Sequence, residues 1–339
     1  MNILLIQLKR IGDLVLTTPA LAALRTKFPD AKITLAISHE CAALVPALVD
    51  VDRTIVMRRG FGDFGNYMSI LRAKFDYCVD FTRNDRSASL AFLSRAEKRI
   101  VSYRVKRRSP LRRKAYNEFV QHRMRDMHTI DYNLSLLEPL GISGTIPPVQ
   151  LQLPNDAREK ASALRRHGKI DNQFVIFHPG SARAEKFWEP ERWAEVIEHA
   201  RTRWGIDCVL TGGNFERGHL AEIKAKLHPP GTGPVVVDLS GKTDLLTLAA
   251  LIEQARLLIT VDSAPMHLAA ALQKPQVILF GPTNPFHWRP RESPAVILQG
   301  ESPEPQHEFA SRQTRLSMKQ ISTQAVINAM DSLLSTPTP

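Results

Sequence analysis

The sequence predicts an α/β protein built from two parallel-sheet domains that face each other across a cleft. Three observations carry this. Short apolar, β-branched runs alternate with longer helical patterns along the 339 residues, as βαβ units wound about a parallel sheet require. The alternation runs twice, and between the runs residues 143–155 hold Pro147, Pro148 and Pro154 with little helical pattern, as a linker does. The length suits two domains at roughly 100–200 residues each. The expected division is an N-terminal domain over 1–155, a C-terminal domain over 156–330 and a frayed tail over 331–339.

In the first half, β-branched apolar runs predict strands at 3–8, 33–37, 54–57, 77–81 and 99–101. Helical patterns lie between them at 14–27, 40–45, 68–74 and 87–93, and a further one at 130–140 stops at Gly141. Pro19 must kink the first of these or mark its true start. In the second half the strands fall at 174–178, 207–210, 235–239, 257–261, 277–280 and 296–298. Helices are expected at 191–203, 217–227, 245–253 and 265–272, the last opened by Pro265, a natural first helical residue.

Apolar residues are 43% and charged residues 23%, so the chain can bury a full core without staples. The formal net charge of +11 points to an anionic partner. Cys41, Cys78 and Cys208 are odd in number, far apart and without a CxxC pair, which excludes a disulfide framework and a thiolate zinc site and fits a reducing cytosol. No apolar stretch nears the ~20 residues of a membrane span. Gln7, Lys9 and Arg10 interrupt the apolar start at once, so it reads as a first strand rather than an export signal.

Ligands of such sheets sit at the carboxyl ends of the strands, so the loops there are the candidates. After the first strand comes Lys9-Arg10-Ile11-Gly12-Asp13. Gly12 allows a tight turn, and Asp13 is either a capping or first-turn carboxylate or a base at the cleft lip. After 174–178, Gly180 and Ser181 can turn amides toward an anion while Arg183 and Lys186 add charge, as a diphosphate would need; the alternative is a solvated loop anchored by Trp188. The third loop runs Asp262-Ser263-Ala264-Pro265-Met266-His267 into a helix whose leading amides suit a phosphate. There Asp262 or Ser263 can equally be a plain N-cap, and His267 a half-buried core histidine. Glu216, after Gly212-Gly213, could take ribose hydroxyls, and 281–285 should form a cleft turn. Neither GxxxxGK[ST] nor HExxH is present, which disfavours P-loop and zincin chemistry.

The densest charge lies over 95–125, where twelve cations, among them Arg104, Arg107, Arg108, Arg112 and Arg113, meet two acids. Such density favours an anionic partner over a plain solvated face. The scarcity of aromatics disfavours a single-stranded nucleic-acid platform.

The opening Ile-Leu-Leu-Ile-Gln-Leu-Lys-Arg-Ile-Gly-Asp-Leu-Val-Leu-Thr-Thr-Pro-Ala-Leu, together with 178–188, Leu-Ser-Gly-Lys-Thr at 239–243, 262–272 and 280–290, resembles the family 9 glycosyltransferases, the ADP-heptose–lipopolysaccharide heptosyltransferases. The resemblance runs from residue 1 to about 330. It implies a GT-B fold, two Rossmann-like domains with the acceptor bound in the first and the nucleotide sugar in the second. It also implies an inverting transfer of heptose from ADP-heptose to the inner core of lipopolysaccharide, with no cofactor and no metal. By the same resemblance Asp13 is the catalytic base and Lys186 meets the diphosphate. Gly180, Ser181, Arg183, Glu216, Asp262, Ser263, Ala264, Met266 and His267 then form the donor site. Gly12 and the arginines 104, 107, 108, 112 and 113 face the anionic acceptor.

Three departures bear on the acceptor: Ala264 stands for the usual glycine, Phe187 for a frequent basic residue, and Leu316-Ser317-Met318 where a cysteine is common. The first suggests a second- or third-heptose addition. The expected setting is a monomer in the cytoplasm, peripheral to the inner membrane and without nucleic acid. The alternatives are a GT-B sugar-nucleotide epimerase and a non-catalytic sugar-nucleotide-binding protein.

Overall fold

A computed structural model describes residues 1–58, 61–170, 173–228 and 233–336. The chain divides into two compact units, Met1–Gln152 and Leu153–Pro339. Each holds one six-stranded parallel sheet.

In the first unit the strands are β1 (Asn2–Gln7), β2 (Lys32–Ser38), β3 (Arg53–Met57), β4 (Tyr77–Asp80), β5 (Lys98–Ser102) and β6 (Glu118–Val120), in the order β3-β2-β1-β4-β5-β6. In the second they are β7 (Phe174–His178), β8 (Asp207–Leu210), β9 (Val236–Asp238), β10 (Leu257–Val261), β11 (Gln276–Phe280) and β12 (Ala295–Gln299), in the order β12-β11-β10-β7-β8-β9. Strand order reverses beside β1 in one sheet and beside β7 in the other. Loops leaving those strands therefore open at a topological switch point, where α/β sheets bind ligands. The register places Ile6 opposite both Ala36 and Asp80, and His178 opposite Thr260.

Helices α1 (Ile11–Val15) and α2 (Thr18–Lys27) replace the single helix expected at 14–27. Pro19 cannot bond the Val15 carbonyl four residues back, and the Thr18 hydroxyl takes that carbonyl instead, at 2.8 Å. The pattern at 40–45 forms a 3-10 turn, His39–Ala47, with Pro46 inside it. Next come α3 (Phe64–Arg72) and α4 (Asp85–Ser94), then α5 (Tyr103–Arg108) and α6 (Pro110–Arg113) within the basic run, and α7 (Thr129–Ser135). Neither α5 and α6 nor the three-residue edge strand β6 was expected, because charge there hides the apolar period.

The second unit adds α8 (Asn155–His167), α9 (Pro190–Trp204), α10 (Arg217–Ala225), α11 (Leu245–Gln254), α12 (Ala264–Ala271), α13 (Pro285–Trp288) and α14 (Thr323–Ser335). Helix α8 buries only Ala157 and Ala161, too faint a stripe to read in sequence. Helix α14 runs through much of the stretch expected as tail, because Val326, Met330 and Leu334 pack into the second core. Residues 337–339 of that expected tail lie outside the described residues.

Candidate active site

In the first unit the segment after β1 is pinned from two sides. The Leu8 amide donates to Thr82 Oγ1 at 2.7 Å, and the Ser38 hydroxyl donates to the Lys9 carbonyl at 2.9 Å. Thr17 Oγ1 donates to the Asp13 carbonyl and accepts from Gln7. Gly12 lies within α1, and its φ is not positive, so the tight turn expected of it does not occur. Asp13 is not a cap either. Arg10 occupies the N-cap position, and Asp13 stands in the first turn with its side chain 12% exposed. Its nearest charge is Lys9 Nζ, 3.5 Å from Oδ1.

Beside this pair a pocket of about 650 Å³ opens at the carboxyl ends of β1, β2 and β3, where Lys9, Arg10, Arg58 and Arg86 outnumber Glu40 and His39 also lines the wall. Arg86 also bonds Asp63 at 2.6 Å. The arginines named from the basic run do not line this pocket. Arg104, Arg107, Arg108 and Arg113 stand exposed on α5 and α6, and Arg112 pairs with Asp85. The sequence reading missed Lys9, Arg58 and Arg86, which become neighbours only when three parallel strands end side by side.

In the second unit, loops after β7, β10 and β11 meet at a buried cluster. Lys186 Nζ donates to Asp262 Oδ2 at 2.6 Å and to the Asp262 carbonyl at 2.9 Å, and Thr283 Oγ1 donates to the same carboxylate oxygen. Lys186 is 8% and Asp262 7% exposed. An ammonium has three donors, so one remains for a ligand. Thr283 was the residue missed here, although its turn at 281–285 was singled out.

Ser181 is buried, and its hydroxyl accepts from the Arg183 amide; the Arg183 guanidinium pairs with Glu185, which offsets its charge. A Cβ on Gly180 would come within 2.5 Å of Glu216 Cγ, so glycine is needed for that close approach. Glu216 accepts the Gly213 amide and so closes its own turn. Ser263 is the N-cap of α12 without a side-chain cap bond, and its hydroxyl lies 3.4 Å from Thr260 Oγ1.

The Met266 side chain, expected at the donor site, turns into the core. It is wholly buried with Ile278, Phe280 and Ile297, and its amide is bonded to the Ser263 carbonyl at 3.2 Å. His267 is buried too. His178 ends β7 with Nδ1 2.9 Å from Thr211 Oγ1, and burial pushes its pKa down to about 4, so it stays neutral.

Two short strings invite a ligand reading and do not carry one. Asp50-Val51-Asp52 is a DxD triplet, but Asp52 is held by Arg25 and the Ile33 amide, and Asp50 by Gln150. Residues 60–65 read GxGxxG; Gly60 lies outside the described residues, and a Cβ at Gly62 or Gly65 would meet open space, so no close approach requires glycine there.

Two parallel six-stranded sheets, each with polar loops gathered at its switch point, are the architecture of the GT-B class. The family model for glycosyltransferase family 9 (heptosyltransferase) matches residues 67–318. The chain belongs to this family and is a glycosyltransferase. Lipopolysaccharide heptosyltransferase 3 of Escherichia coli is 28% identical over 336 residues, 96% of this chain and 97% of that protein. The crystal structure of the family 9 glycosyl transferase from Veillonella parvula superposes with a TM-score of 0.83 at 25% identity, over 98% of this chain and 97% of that one. The E. coli ADP-heptose lipopolysaccharide heptosyltransferase II shares the fold, with a TM-score of 0.80 at 20% identity over 98% of each chain.

Proposed function

We propose that this protein is an inverting heptosyltransferase that moves heptose from ADP-heptose to the lipopolysaccharide inner core. The names of its relatives support the sugar, the nucleotide and the acceptor class. The observation that carries the donor reading is the Lys186–Asp262–Thr283 cluster, which holds an ammonium with one free donor beside the leading end of α12. There it would meet the donor's diphosphate, with Gly180, Ser181 and Ser263 nearby in sequence on the same loops and Glu216 toward the ribose.

In the reaction the acceptor hydroxyl attacks the anomeric carbon from the face opposite ADP. The new C–O bond forms as the bond to the diphosphate breaks, and the electron pair leaves with ADP. Lys186 and the α12 dipole stabilise that growing charge, and Asp13 takes the hydroxyl proton. The basic pocket beside Asp13 receives the acceptor's anionic groups. The exposed arginines of α5 and α6 serve instead as contacts to the anionic inner-membrane face, and Leu111 between them is 77% exposed. Among the described residues, no helix is long and apolar enough to cross a membrane.

Ala264, and the similarity to a heptosyltransferase 3, point to a later heptose addition. An ADP-release assay over truncated core acceptors and several nucleotide sugars tests this. Release should require ADP-heptose together with a heptose-bearing acceptor. Release with donor alone would favour an epimerase or hydrolase, and no release with any acceptor would favour a binding protein.

A further inference from the structure

Beside Asp13 stands an ammonium to which the transfer, as written above, assigns no role. Asp13 Oδ1 is buried and accepts no hydrogen bond, and Lys9 Nζ is the cation nearest it, at 3.5 Å. No amide of α1 donates to this buried oxygen. The Asp13 side chain is 12% exposed although Oδ1 is buried.

Lys9 is itself held tightly. Thr82 fixes the amide before it, and Ser38 and Cys41 donate to its carbonyl. Thr82 is set in turn by Asp80, a wholly buried carboxylate that accepts from the Thr82 and Arg83 amides, Ser87 Oγ and Tyr116 OH. Strands β1, β2 and β4 thus all contribute to where Lys9 lies.

The charges facing its ammonium are Asp13 from α1 and Asp80 and Arg83 from the end of β4. Around the pocket stand Arg10, His39, Glu40, Arg58 and Arg86. Burial holds the ammonium below the usual lysine range, opposed by Asp13 and Asp80.

We propose that Lys9 is a positioning residue for the transfer: its ammonium holds the inner oxygen of Asp13 and so leaves the outer oxygen aimed at the acceptor hydroxyl. The acceptor's proton goes to Asp13 Oδ2, and Lys9 takes no part in the proton transfer. The proposal rests on the reading of Asp13 as base. Without that cation the buried oxygen loses its one close polar neighbour, and the carboxylate is free to turn outward and idle as a base. The logic is that of any base oriented by a third group.

The test uses the full chain with ADP-heptose and a core acceptor, comparing Lys9→Met, Lys9→Gln, Lys9→Arg and Asp13→Asn. Lys9→Met and Lys9→Gln should lower kcat on the order of 10- to 100-fold, with the donor KM unchanged. They should move the acid limb of the kcat profile up by roughly one pH unit, and Lys9→Arg should restore most of both. Adding Lys9→Gln to Asp13→Asn should cost nothing further, because the two act as a unit. Should Lys9→Met not fold, Lys9→Gln carries the same readouts.

An unchanged kcat and pH profile in a folded Lys9→Gln protein would overturn the proposal, as would a rise in acceptor KM alone, which marks a simple binding cation. Near-normal turnover in Asp13→Asn would instead defeat the base reading on which the proposal stands.

Discussion

Each unit sets a lysine against an aspartate beyond its central strands, and the two pairs are built differently. In the second unit Lys186 and Asp262 lie 2.6 Å apart, both buried, with Thr283 closing the carboxylate. In the first unit Lys9 and Asp13 stand 3.5 Å apart, with one carboxylate oxygen unbonded and a basic pocket alongside. A closed pair presents a fixed charge to a ligand and holds its loops together. An open pair keeps a carboxylate available to accept a proton. On the proposed mechanism the closed pair binds and the open pair supports chemistry, although by sequence both are a lysine in a loop after a strand.

The comparison breaks most directly at Asp13. Asp13→Asn should cut turnover by roughly 10²–10⁴-fold while ADP still binds, as calorimetry would show; turnover within a few-fold of the parent would erase the contrast. In the closed pair the main loss should be in folding. Lys186→Met leaves Asp262 buried without its cation, a cost of about 3–5 kcal/mol, visible in denaturant titration, and ADP affinity should fall with it. A Lys186→Met protein of parental stability would show that the closed pair does not hold its loops.

Acid should act in opposite directions on one buried group of each unit. His178 has its pKa pushed down to about 4 from an ordinary 6.5. Below pH 6.5 the unfolded chain takes a proton that the folded one refuses, so stability falls as pH drops toward 4. The loss approaches about 3 kcal/mol. Asp80 acts oppositely. Burial raises its pKa, so this one group contributes more stability as the pH falls. Denaturant titrations at pH 7 and pH 5 should therefore show the parent losing more stability than His178→Gln, and equal losses would remove His178 from the acid response.

The smallest effect concerns the two basic regions. Arg107→Gln with Arg108→Gln should change kcat/KM on a soluble acceptor by under about twofold, as exposed charges far from a site do, yet weaken binding to anionic vesicles. Arg58→Gln should raise the acceptor KM. The reverse ranking would return the acceptor to the basic run.

The strands were legible because strands buried on both faces of a parallel sheet read as continuous apolar runs; Ile3 to Ile6 are wholly buried, as are Leu257 to Ile259. Elements without that signal were not legible. Helix α8 shows two buried alanines, and β6 begins on Glu118 at the edge of its sheet. In the site, Lys186, Asp262 and Asp13 could be picked out from loop position and resemblance. The burial of Met266 was not legible, because a loop residue that turns back into the core looks the same in sequence as one that faces a ligand. Thr283 and Thr82 were invisible because their partners, Asp262 and Leu8, lie 21 and 74 residues away.

By itself the sequence determined the α/β class, the repeated βαβ alternation and the loops at the strand ends, because periodicity, prolines and apolar runs act over a few neighbouring residues. Only the tertiary structure decided which cations converge, which lysine is closed and which is open, and which carboxylate oxygen is left without a partner. Those properties depend on strands distant in the chain ending side by side, where burial removes water and makes each remaining contact count.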